Sequence, residues 1–222
     1  MKIDRRVSTA HLIYEALRRR ILDFTLVPGA PLSQKETAEE FGVSLSPVRD
    51  ATLRLGGEGL VDIVPQSKTS VSLIDIQHAR ETHFLRLSLE IQVLRQLAHS
   101  VTDVQMAAMR NWVSHQKIDI KTRDISSFKI ADNQFHYDYF GYANVAGLWR
   151  LIRDRRGHYD RIRGLYLNES SRREVVISEH ETIIAALANR DPDAAESAVR
   201  THLGKSLGIV DEIRAQFPDY FL

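Results

Sequence analysis

The 222-residue chain contains no cysteine. Disulfides, thiolate chemistry and cysteine-ligated zinc are therefore excluded. No apolar run approaches the roughly 18–20 residues that a helix needs to cross a bilayer. The opening Met1-Lys2-Ile3-Asp4-Arg5-Arg6 is not followed by the apolar stretch of a secretory signal. A soluble, cytoplasmic protein with no membrane partner is the expectation. An excess of one charge is also missing: 30 Lys+Arg stand against 29 Asp+Glu, a net charge of +1. A uniformly basic coat is excluded, so any affinity for nucleic acid must come from where the cations sit. The sequence has no nucleophile elbow and no His-Glu-x-x-His. Gly141-Tyr-Ala-Asn-Val-Ala-Gly147 follows a helical pattern, not a strand, and is no phosphate loop. Glu179-His180-Glu181 is the one acid-flanked histidine, where a metal-bound water could in principle hydrolyse something. An enzyme is not expected.

What is present begins with residues 32–61. Two short amphipathic segments, 34–41 and 46–55, flank Gly42, which can take the positive φ that ends one helix and turns the chain. Ser44 or Ser46 can cap the following helix, and Pro47 fits its first turn. Ala38, Phe41, Val43, Val48, Ala51 and Leu55 supply a small core for two crossed helices. This is the pattern of a helix-turn-helix DNA reader, and equally that of any helical hairpin. An apolar stripe of Leu12, Ile13, Ala16, Leu17 and Ile21 predicts a helix over 9–22. Pro28, Gly29 and Pro31 mark a turn-rich connector. Residues 60–64 and 70–74 are β-rich and bracket the polar tip 65–69, which predicts a two-stranded wing.

Beyond Asp75 the period is helical throughout. Helices are expected at 76–100, 103–118, 127–142 and 145–167, then from a start between Ser171 and Ser178 to near Asn189, and at 192–217. Thr102-x-x-Gln105 and Asp191-Pro192 mark two of the starts. The expected fold is mostly α: a winged helix-turn-helix over 1–75 followed by an all-helical bundle over 76–222.

Three sets of residues could carry chemistry. In the helix-turn-helix, Arg49 is expected to read a base edge while Lys35, Ser44, Ser46 and Lys68 hold phosphates. In the bundle, Asp132 and His136 are four apart and share a helix face. His180 lies among Ile183, Ile184 and Leu187, and His202 follows Val199. Three histidines and a carboxylate at core-facing positions suit a divalent metal, although such histidines can equally be hydrogen-bonded core residues. Arg86, inside the apolar stretch 84–89, could hold an anionic effector, pair with Glu90 one turn on, or snorkel to the surface.

These motifs together resemble the GntR family of bacterial transcriptional regulators, in its FadR-like branch with an FCD effector domain. The first half carries Leu12-Ile-Tyr-Glu-Ala-Leu17, Ala38-Glu-Glu-Phe-Gly-Val-Ser44, Ser46-Pro-Val-Arg-Asp-Ala51 and Glu58-Gly-Leu-Val61. The second carries Arg86-Leu-Ser-Leu-Glu90, Asp132-Asn-Gln-Phe-His136, Glu179-His180-Glu-Thr-Ile183 and His202-Leu203. The resemblance implies a homodimer on double-stranded operator DNA, commonly a repressor, responding to a small organic acid. It implies a divalent ion, zinc first and nickel or manganese as alternatives, held by Asp132, His136, His180 and His202, with Arg86 binding the effector. The sequence departs from the family at Leu45, at Lys35 and in the wing, where Ser67-Lys68 replaces Arg-Gly. The alternative is a metal-dependent hydrolase or a ligand-binding module whose DNA-binding domain is vestigial.

Overall fold

The apolar periodicity up to Ile76 builds a small helical domain with a wing. The computed structural model describes residues 8–64 and 68–222. Its contacts divide the chain into one unit of Met1–Ile76 with Arg214–Leu222 and another of Gln77–Ile213.

In the first unit, helix α1 (Thr9–Leu22) starts at Ser8, whose hydroxyl accepts from the His11 amide. Helix α2 (Gln34–Phe41) is capped in the same way by Ser33 and ends at Gly42, with φ at +64°. A side chain at that φ would be strained, which is why glycine makes the turn. Helix α3 (Leu45–Gly57) starts at Ser44, which sits at the cap position without a side-chain cap bond. Ile13, Leu17, Ile21, Ala38, Val48, Ala51 and Leu55 are buried together, with Phe41 and Val43 packed against them. Strands β1 (Val61–Ile63) and β2 (Thr69–Val71) pair antiparallel, Val61 opposite Val71. The wing exists with strands shorter than their β-rich stretches, and the expected tip residues 65–67 lie outside the described residues.

Glu58, buried at the end of α3, accepts from the Tyr14 hydroxyl and from Arg18 Nε (3.0 Å), both on α1. The Arg54 guanidinium lies 3.6 Å from the Tyr14 ring centroid. One buried carboxylate thus fixes the angle at which α3 leaves α1. The segment Arg214–Leu222 also packs in this unit, which helical periodicity did not indicate. Phe221 is buried and bridges Ile74 in parallel.

The second unit is helical throughout. It comprises α4 (Ile76–Ser100), α5 (Asp103–Thr122), α6 (Ile125–Tyr142), α7 (Ala146–Arg153), α8 (Gly157–Tyr166), α9 (Ser170–Ala188), α10 (Pro192–Gly208) and the start of α11 (Val210–Gln216), whose last residues belong to the first unit. Thr102 and Gln105 form the expected capping box at the start of α5. Helix α5 packs on α6 and α9, and α10 packs on α9 and α8. Phe128, Phe135, Tyr139, Phe140, Met109, Ile183 and Leu203 fill the interior. Two expected helices are broken. The first stops at Arg153 and restarts at Gly157, and buried Arg156 in the break donates to Asp160 and Asn133. The second breaks at Ile209, immediately after Gly208, a residue that holds a helix weakly. No helix among the described residues is long and apolar enough to cross a membrane.

Candidate metal centre and DNA-reading face

Asp132 and His136 stand one turn apart on α6, His180 is on α9 and His202 on α10. All four are buried, with one ligand atom of each within 4.8 Å of the others. The bundle therefore brings together the whole set expected from the sequence. His202 Nε2 lies 3.1 Å from His136 Nε2 and 3.3 Å from His180 Nε2, and His180 Nε2 lies 3.6 Å from Asp132 Oδ1.

The other nitrogen of each ring explains this convergence. His136 Nδ1 donates to Glu90 Oε2 (2.8 Å), His180 Nδ1 to Gln116 Oε1 (2.9 Å) and His202 Nδ1 to Glu179 Oε2 (3.0 Å). A proton held on Nδ1 leaves Nε2 as a bare lone pair. Two lone pairs facing each other at 3.1 Å repel unless positive charge lies between them. Nitrogens bound to one tetrahedral zinc stand about 3.3 Å apart, so the donor set fits a divalent cation in both chemistry and spacing.

Electrostatics favour the same state. Burial holds His136, His180 and His202 well below the usual imidazole value, so they are neutral. Burial pushes the Asp132 carboxyl up, but Arg163, which donates to its Oδ1, with the neighbouring imidazoles and Arg86, outweighs this and holds it down, ionised. Glu179 is pushed up to about 7, chiefly by burial.

These shifts have a consequence in the metal-free protein. An unfolded imidazole takes up its proton near pH 6.5, whereas the buried ones resist it, so below that pH the unfolded state binds more protons. Stability is therefore expected to fall with pH below about 6.5, by up to about 1.4 kcal/mol per pH unit for each imidazole. Denaturant titrations of chelator-treated protein at pH 7.5 and 5.5 measure this. Equal midpoints would mean that the folded core accepts the protons.

Arg86 neither snorkels nor stands alone. It is buried, its Nε donates to Glu90 Oε1 at 2.6 Å, and its Nη2 is buried without a hydrogen-bond partner. The Tyr139 hydroxyl is likewise buried without a partner. Sequence reasoning missed Arg163, Glu90 as a partner of His136, and Gln116. Arg163 alone carried a signal: it lies four residues after Tyr159 and three before Tyr166, on a buried helix face like that of Arg86.

In the first unit, Ser44, Ser46 and Arg49 are exposed at the start of α3, and Arg49 has no partner among the described residues. Lys35, on α2, is exposed, and its Nζ lies 4.0 Å from Glu39. Lys68 is exposed at the foot of β2. Leu45 and Leu53 add exposed apolar surface to α3.

The bacterial regulatory proteins of the gntR family match residues 9–71, and the FCD domain matches 81–205. The chain belongs to the GntR family. This GntR regulator is 33% identical over 209 residues to the HTH-type transcriptional repressor RspR of Escherichia coli K12, covering 94% of this chain and 92% of the relative. It is 32% identical over 210 residues to a regulator in an unstable DNA locus of Streptomyces ambofaciens, covering 94% and 88%. Among solved structures, E. coli McbR/YncC superposes with a TM-score of 0.77 at 20% identity, over 93% of this chain and 99% of that one. That likeness speaks for the fold.

Proposed function

We propose that this GntR regulator binds operator DNA as a homodimer and is switched by a small carboxylate that docks beside a divalent metal ion in its helical unit. The observation that carries this reading is the buried convergence of three imidazole lone pairs and Asp132, with the unpartnered Nη2 of Arg86 in the same interior. Residues 1–75 form the DNA-binding domain and 76–222 the effector domain. Asp132, His136, His180 and His202 hold the ion, zinc first, with nickel or manganese as alternatives. Bound there, such an ion supplies Lewis acidity at a fixed point, toward which an anionic oxygen is drawn. Arg86 gives the anion a charge-assisted hydrogen bond from Nη2. For the ligand to act as a switch it must bind the DNA-competent and DNA-incompetent states unequally.

On DNA, α3 enters the major groove by its N-terminal end. Arg49 reads a base edge, while Lys35, Ser44, Ser46 and Lys68 contact phosphates. Because α3 reads only one half-site, a two-fold pair of chains on a palindromic site is the matching assembly.

Gel shifts with the DNA flanking its own gene test the reading. Arg49→Ala is expected to weaken specific binding by about 1–3 kcal/mol, roughly 5- to 150-fold. Lys35→Ala should instead weaken binding to all sequences and reduce the salt slope by about one. Unchanged specific affinity in Arg49→Ala would remove Arg49 from base reading.

A further inference from the structure

We propose that Glu90 is the positioning residue that couples the anion subsite to the metal subsite. Glu90 is fully buried on α4, and its two oxygens serve different masters. Oε1 accepts from Arg86 Nε at 2.6 Å, and Oε2 accepts from His136 Nδ1 at 2.8 Å. The other two acceptors behind the histidines are not shared in this way. Gln116 is neutral, and Glu179 also meets Lys205 at the bundle surface (3.7 Å). Among the described residues, only Glu90 ties one of these imidazoles to a guanidinium that has an unpartnered buried donor.

One negative charge is thus divided between a guanidinium and the N–H of a neutral imidazole. An anion that takes the free Nη2 of Arg86 neutralises the guanidinium and leaves more of the Glu90 charge to act on His136. His136 then becomes a more basic ligand, and a cation binds more tightly. Linkage makes the effect reciprocal: a cation on His136 draws Glu90 toward the imidazole and frees Arg86 for the anion. Glu90 therefore opposes anion binding when the cation is absent and permits it when the cation is present. The regulator would sense the acid only in its metal-loaded form.

The proposal rests on the metal reading above, and the test separates the two. Cobalt(II) serves as the probe cation, because its visible spectrum reports ligand geometry, and propionate serves as the probe anion. Full-length wild type is expected to bind cobalt several-fold more tightly with saturating propionate than without it. Glu90→Gln keeps the size but loses the charge. It is expected to bind cobalt 10- to 100-fold more weakly, the usual cost of losing such a partner, and to lose the response to propionate. Arg86→Met leaves Glu90 on His136 and guards against misfolding in the first variant. It is expected to bind cobalt at least as tightly as wild type without propionate, and to show no response to propionate. Wild type that binds no cobalt overturns the metal reading. Wild type that binds cobalt, with Glu90→Gln keeping both affinity and propionate response, overturns the role of Glu90 alone.

Discussion

His180→Ala is expected to abolish stoichiometric metal binding and, with it, the response of the protein's thermal stability to chelator. His180 presents one of three lone pairs to the centre, is fully buried, and stands 3.3 Å from His202 and 3.6 Å from Asp132. Without it two imidazoles and one carboxylate remain, one protein donor short of the set that closes a tetrahedral site. A ligand present at 1,000 times its dissociation constant stabilises the folded state by about 4 kcal/mol. For a chain of this size that amounts to roughly 8–16 °C in melting temperature. Chelator should therefore lower the wild-type melting temperature by about that amount and leave His180→Ala unmoved. His136→Ala should behave alike, since His136 supplies the lone pair that faces His202 at 3.1 Å. Metal analysis of purified protein is the direct measurement. Full metal content in both variants would sink the site, whatever their stability.

The sequence revealed those parts of the fold and site that depend on local spacing. Gly42 between two apolar-striped segments was enough for the helix-turn-helix, because a left-handed residue there is a local requirement. Thr102 and Gln105 announced α5 for the same reason. Helix α9 starts at Ser170, ahead of the expected start between Ser171 and Ser178; its cap residue Glu169 makes no side-chain cap bond and so leaves no signature. The breaks at 154–156 and at Ile209 were hidden because the apolar period continues across them. At the site, Asp132 and His136 could be paired by their spacing of four, whereas His180 and His202 stood out only as histidines among apolar residues, a pattern that the family resemblance turned into a ligand set. The supporting partners lie 46 residues apart for Glu90 and His136 and 64 for Gln116 and His180. Only tertiary packing brings such pairs together. Arg86 and Glu90 make the opposite point: their spacing reads the same whether the pair is solvated or buried, and the structure buries it completely.

Phe221→Asp is expected to destabilise the DNA-reading unit by about 3–5 kcal/mol, although Phe221 lies far from α3 in sequence. The segment Arg214–Leu222 joins that unit through backbone pairing: the Ile74 amide donates to the Tyr220 carbonyl at 2.7 Å, and the Leu222 amide donates to the Ile74 carbonyl at 3.1 Å. The Tyr220 ring stacks on Phe24, 5.6 Å between centroids, and Phe221 is 5% exposed. Aspartate there removes a buried aromatic, which typically costs about 3–5 kcal/mol, and puts a charge in an apolar setting. That is a large share of the roughly 5–15 kcal/mol that holds a typical domain together. Phe221→Leu keeps apolar volume and should cost less than about 2 kcal/mol. Hydrogen exchange at the Ile74 amide reads the effect locally, since that proton is held by the pairing itself, and the β2 amides report whether the wing loosens with it. Faster exchange at Ile74 and across β2 in Phe221→Asp, with Phe221→Leu near wild type, is the expected pattern. An Ile74 amide as protected in Phe221→Asp as in wild type would show that the segment adds nothing to the stability of the wing.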